Sequence, residues 1–132
     1  MYEITVESVF AAAHAIRLPD GSLEPAHGHN WPVTLTVRAD RLDDIETVCD
    51  FHLLQDLLDR ALAPWQNNDL NRCEPFADAA GELKVNPTAE RVARAISDKV
   101  FPSLPESCTL VSVRVGEAPG CTASYYPHRE DA

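Results

Sequence analysis

Three of the five histidines fall at positions 14, 27 and 29. His27-Gly28-His29 places two imidazoles at i and i+2. In a strand those positions share a face, so both rings can converge on one ion. His14 is the natural third ligand if its segment pairs antiparallel with the one that carries His27, through the turn chemistry near Gly21. Three histidines and an open fourth position form the ligand pattern of catalytic zinc, where water or a substrate oxygen binds. The competing reading is two surface histidines flanking a glycine, with His14 an unrelated core residue. His52 and His128 read as surface residues. The cysteines, Cys49, Cys73, Cys108 and Cys121, contain no C-x-x-C pair and read as small buried thiols.

The elements that must position these groups follow from periodicity. Tyr2, Ile4 and Val6 alternate with Glu3 and Thr5, the rhythm of a half-buried strand. Val9 and Phe10 fall out of phase, which predicts a bulge before Ala11-Ala12-Ala13-His14. A second strand is expected from about Trp31 to Ala39, edge-like or irregular at Pro32. Phe51, Leu54, Leu58, Ala61 and Leu62 predict an amphipathic helix capped by Asp50 and ended by Pro64. The polar stretch from Gln66 to Val85 reads as a long loop of functional or interfacial kind. A second helix is expected with Asn86 as cap, Pro87 at its first position and Ala89, Val92, Ala93, Ile96 and Val100 buried. Val111, Val113 and Val115 predict a third strand. Pro119-Gly120 is a turn, and Cys121 to Tyr126 the returning strand. The order is β-β-α-α-β-β, an α+β fold with a four-stranded antiparallel sheet and two helices on one face.

The chain has 132 residues, with 11 Lys+Arg against 21 Asp+Glu and a net charge of −10. The length suits a single domain spanning 1–132. That charge argues against nucleic acid and anionic membrane surfaces as partners. No apolar run approaches a bilayer span, and the N-terminus lacks signal-peptide features. A cytoplasmic protein is expected.

Further along, the residues fall into a recognisable order. It runs Phe10-Ala11-Ala12-Ala13-His14, His27-Gly28-His29-Asn30, Asp50-Phe51, Leu70-Asn71, Pro87-Thr88-Ala89-Glu90, and Glu117 with Tyr125 eight residues later. The chain resembles the 6-pyruvoyltetrahydropterin synthase family, which includes the 6-carboxytetrahydropterin synthases of queuosine synthesis. The resemblance implies a tunnelling fold and zinc held by His14, His27 and His29. It also implies trimers whose sheets join into a barrel and stack as a hexamer, with active sites between subunits. It matches Glu117 to the family's pterin-anchoring glutamate, which accepts paired hydrogen bonds from the 2-amino group and N3–H of the ring. By itself Glu117 would read as a turn residue. Thr88 matches a position near the pterin pocket and equally suits a helix cap.

The resemblance further implies a zinc-dependent lyase acting on 7,8-dihydroneopterin triphosphate, a small-molecule pterin. Two catalytic motifs depart from the family. The cysteine expected four residues before His27 is Leu23, and the L-D-H positions read Trp65, Gln66 and Asn67. Glu24, in Glu24-Pro25-Ala26-His27, stands where one branch uses a glutamate to form 6-hydroxymethyl-7,8-dihydropterin for folate synthesis. It is a candidate general base, or else a solvated loop acid. Asp69 is a candidate replacement for part of the missing relay. A pterin- and zinc-binding homologue without the standard activity is the reading from a different class. An unrelated zinc hydrolase would explain the histidines alone.

Overall fold

A computed structural model describes residues 1–127; His128 lies outside the described residues. The strands are β1 (Tyr2–His14), β2 (His27–Ala39), β3 (Asn68–Asp69), β4 (Thr109–Ala118) and β5 (Cys121–Tyr125), and the helices α1 (Phe51–Leu62) and α2 (Ala89–Val100). The sheet order is β3-β1-β2-β4-β5. All pairings are antiparallel except that of β3 with β1. The six expected elements follow in the β-β-α-α-β-β order, with β3 inserted between α1 and α2, so the sheet has five strands rather than four. The extra strand has only two residues and produces no periodicity. It exists because the exposed edge of β1 needs backbone partners. Asn68 and Asp69 pair with Ala12 and Ala13, and the Asn67 N–H donates to the Ala11 carbonyl at 2.6 Å.

The core lies between one sheet face and the two helices. Phe10, Trp31, Leu35, Val113 and Val115 from the sheet meet Leu54, Leu58, Val92 and Ile96 from the helices. Phe10 stacks on Trp31 with ring centroids 5.6 Å apart. Two such aromatics buried side by side supply much of the apolar area that fixes the register of β1 on β2.

Several local expectations change. The bulge expected before Ala11 is absent from the β1–β2 ladder, which runs unbroken from Tyr2 opposite Ala39 to His14 opposite His27. Val9 simply points outward and is exposed. The irregularities sit in β4 instead. The register against β2 shifts between Thr36 and Val37, so Val111 is the extra residue and Leu110 takes the buried position. The register against β5 shifts between Gly116 and Ala118, which leaves Glu117 over. β2 starts at His27, and Pro32 lies just beyond the last β2–β4 pair, Val33 with Val115, so its missing N–H costs no ladder bond there. β5 ends at Tyr125, one residue short of expectation.

α1 is capped by Asp50, which accepts from the His52 N–H, and Phe51 is exposed rather than part of its buried stripe. α2 is capped by Thr88, not Asn86. Asn86 is engaged elsewhere: its side chain accepts from Arg17 N at 2.8 Å and donates to Arg17 O at 3.0 Å. Pro87 thus precedes the helix. Among the described residues, no helix is long and apolar enough to cross a membrane.

Candidate metal centre and pocket

The β1–β2 register puts His14 directly opposite His27 and Ala12 opposite His29. All three imidazoles therefore leave the same sheet face at the end of the two strands. His14 is buried, with its side chain 2% exposed, and His29 is mostly covered. Trp31 backs them: its ring lies 4.1 Å from that of His29 and 4.6 Å from that of His14, and its Nε1 donates to the Ala12 carbonyl. This apolar wall removes water from one side of the cluster and stiffens the ring orientations.

The backbone sets the free nitrogens. His14 Nδ1 donates to the Pro87 carbonyl at 2.7 Å, and His29 Nδ1 donates to the Asn30 carbonyl at 3.0 Å. Each ring, when neutral, then carries its lone pair on Nε2, the arrangement that outer partners impose on metal-binding histidines. His14 Nε2 lies 3.0 Å from His27 Nε2. Glu117 Oε1 lies 3.2 Å from His14 Nε2, 3.9 Å from His27 Nε2 and 3.6 Å from His29 Nε2. The potential ligand atoms of these four residues all lie within 4.8 Å of one another. His29 Nε2 is buried and, among the described residues, has no hydrogen-bond partner. A buried acceptor without a donor is costly, and a shared cation relieves that cost. The donor set of three imidazoles and a carboxylate fits zinc.

Beside the cluster is a cavity of about 430 Å³. His14 and His27 border it, together with Glu24, Thr88, Glu90, Glu117 and Cys121. Glu24 is half-buried on the β1–β2 connection. Its Oε1 accepts from the Ile16 N–H at 3.1 Å, which folds the side chain back along the end of β1. Thr88 Oγ1 accepts from the Arg91 N–H at 3.2 Å, so its hydroxyl is committed to capping while it borders the cavity. Asp69 is not among these residues. Its carboxylate accepts from the Asn71 N–H at 2.9 Å, and it borders a different depression, shared with His29.

Two residues at the cavity carry chemistry that the sequence reading did not assign to it. Glu90 contributes a third carboxylate from the first turn of α2. Cys121 is an exposed thiol, which corrects the reading of all four cysteines as buried. It begins the edge strand β5, where the hairpin turn brings it back toward Glu117, and no local pattern around it signals this. Cys49 does match that reading: burial, reinforced by neighbouring Cys108, pushes its thiol up to about 12. Cys73 donates to the Asp69 carbonyl and Cys108 to the Val48 carbonyl.

A family model described as 6-pyruvoyl tetrahydropterin synthase matches residues 3–128. The 6-carboxy-5,6,7,8-tetrahydropterin synthase of Bacillus subtilis is 31% identical, over 97% of this chain and 87% of its own. The fold matches that of Caenorhabditis elegans 6-pyruvoyl tetrahydropterin synthase with a TM-score of 0.74 and 23% identity, covering 97% and 98% of the two chains. It also matches a Plasmodium vivax 6-pyruvoyltetrahydropterin synthase whose catalytic glutamate is replaced by alanine, with a TM-score of 0.72 and 18% identity, covering 96% and 97%.

Proposed function

The chain belongs to the 6-pyruvoyl tetrahydropterin synthase family, and on that basis we propose that it is a zinc-dependent lyase acting on a reduced pterin, with 7,8-dihydroneopterin triphosphate as substrate. The observation that carries this reading is the convergence of His14, His27, His29 and Glu117 beside a cavity large enough for a pterin. His14, His27 and His29 would hold the metal. A bound zinc supplies Lewis acidity toward the oxygens of the pterin side chain and so loosens the adjacent C–H protons.

The protein's own groups handle binding and protons. The carboxylate of Glu117 suits the paired donors on the pterin ring. Glu90, across the cavity, offers a second carboxylate for the same edge, and Thr88 holds the backbone that presents it. Leu23, exposed where the family carries its cysteine, cannot take a proton. Glu24 is the titratable group on that connection that reaches the cavity, and it takes the proton as general base. Cys121 stands on the β4–β5 side and is a second proton carrier. Asp69, committed to Asn71 and facing another depression, would act only through His29.

Among the described residues, the cavity lining includes three carboxylates and no lysine or arginine. A triphosphate therefore needs cations from beyond this lining, which supports active sites shared between copies in a trimer-based hexamer. The protein would act as one cytoplasmic domain.

A specific observation favours a second product. Glu24 borders the cavity, and a structural relative has a glutamate as a catalytic residue. That favours 6-hydroxymethyl-7,8-dihydropterin over the pyruvoyl or carboxy product. Incubation of zinc-loaded protein with 7,8-dihydroneopterin triphosphate, followed by product identification, separates these outcomes. No turnover would leave a pterin- and zinc-binding homologue without the standard activity.

A further inference from the structure

Four potential ligand atoms meet where almost no hydrogen can sit between them. His14 and His29 spend their Nδ1 hydrogens on the Pro87 and Asn30 carbonyls. In the neutral rings the Nε2 atoms are then acceptors, and the carboxylate oxygen Glu117 Oε1 is a third acceptor at 3.2 and 3.6 Å from them. His27 Nε2 can bring at most one hydrogen, and it lies 3.0 Å from His14 and 3.9 Å from Glu117. Such a group of acceptors is held together by a shared cation. Glu117 belongs to this group as closely as the histidines do.

Its backbone stands outside the regular ladder. Glu117 is the residue left over by the register shift between Gly116 and Ala118, next to the Pro119-Gly120 turn. Bulged residues are freed from the ladder, and bulges re-aim side chains beside functional sites. Its side chain is 35% exposed and borders the cavity, whereas that of His14 is 2% exposed. Of the four, His27, 50% exposed, and Glu117 can be reached by an incoming ligand, and of these two only the carboxylate can accept the paired N–H donors of a pterin ring.

We propose that Glu117 is an exchangeable fourth ligand. Without pterin it completes the metal's ligand set with His14, His27 and His29, and a bound pterin ring draws it off the metal. The inference rests on the metal and pterin readings above. It makes the resting centre closed, and it couples binding of the ring to opening of the coordination position that a substrate oxygen needs. A ligand lacking the ring's donor edge would leave the centre closed, so the exchange also selects for pterins.

The test uses the cobalt(II)-substituted protein, whose visible bands report coordination. The probe is 7,8-dihydropterin, which has the ring but no side-chain oxygens to bind the metal. Glu117→Gln should shift the cobalt bands and weaken zinc binding in a chelator competition by at least the roughly 10-fold that losing even an outer partner of a ligand costs. Glu117→Asp, which keeps the charge but shortens the reach, should behave like Glu117→Gln; circular dichroism checks that both fold. In the parental protein, 7,8-dihydropterin should move the bands toward the Glu117→Gln position. Unchanged bands and zinc affinity in both variants would overturn the proposal. So would pterin that binds, by fluorescence quenching, without moving the parental bands. Absence of any quenching would overturn the pterin reading itself and the exchange with it. The variant bands would still report whether Glu117 is a ligand.

Discussion

His29 is anchored at Nδ1 and bare at Nε2. That asymmetry makes it the most direct residue to test. Zinc analysis should give about one ion per chain in the parental protein and a large loss after His29→Ala; full occupancy in that variant would remove the metal reading. Glu24 is half-buried and bonded to Ile16 N through one oxygen, which leaves the other free for a proton. Glu24→Gln should retain zinc and pterin but lower kcat by about 10²–10⁴-fold; parental turnover would reduce Glu24 to a loop residue. The cysteines should separate by reactivity. The thiolate is the reactive form. The Cys49 thiol, pushed up to about 12, stays protonated through neutral pH, and burial also raises that of Cys73. At pH 7.5 iodoacetamide should therefore label Cys121 first, read by peptide mass spectrometry. Equal labelling of Cys49 would contradict the burial described for it.

At the scale of elements, the site depends on two strands of one register and a hairpin of another. A Cβ added at Gly116 would stand 2.8 Å from Pro32 Cγ and 3.1 Å from Pro32 Cδ. The proline ring cannot swing aside as a flexible chain would. Gly116→Ala should cost about 1–3 kcal/mol in urea unfolding, the usual range for overpacking. Adding Pro32→Ala should recover part of that loss, because it removes the clashing carbons; strict additivity would mean that the two do not meet. The pair explains why β4 carries a small residue beside Glu117 and why β2 tolerates a proline. Neither half was legible alone. Pro32 read as an irregular strand start, which its position just outside the β2–β4 ladder accounts for. The bulge expected near Val9 was a misread phase: an apolar residue on an exposed face imitates a shifted register. Of the bulges in β4, one falls at Val111, in an alternating valine run where the pattern looks regular, and the other at Glu117, just past that run.

For the whole molecule, the open sheet edges dominate. Among the described residues, β5 is the last strand of the sheet and β3 pairs with β1 at Ala12 and Ala13. Exposed edges invite pairing with other chains unless they are covered. Closing the sheets of several copies into a ring satisfies both edges and would bring a neighbour to the cation-poor cavity. Light scattering should return a trimer or a multiple of three, most simply a hexamer; a monodisperse monomer at micromolar concentration would count against shared sites.

What the sequence determined by itself was local or ordered along the chain. The strand and helix periods follow from which side chains face a core, and the Asp50 cap from a carboxylate beside an amide end. That His27 and His29 share a face follows from the alternation of a strand, whereas His14 joins them through the β1–β2 register. The structure decided whatever depends on distant partners competing for the same atoms. Asn86 and Thr88 are both capping types, and Asn86 was taken by Arg17, 69 residues away, leaving Thr88 to cap α2. Asp69 and Glu24 were equivalent as acids near motifs, until hydrogen bonds to Asn71 and Ile16 placed them at different depressions. Cys121 entered the site, and Glu117, already matched by resemblance, came to face the histidines, through a hairpin register that no single strand encodes, because a register shift is a property of two paired strands.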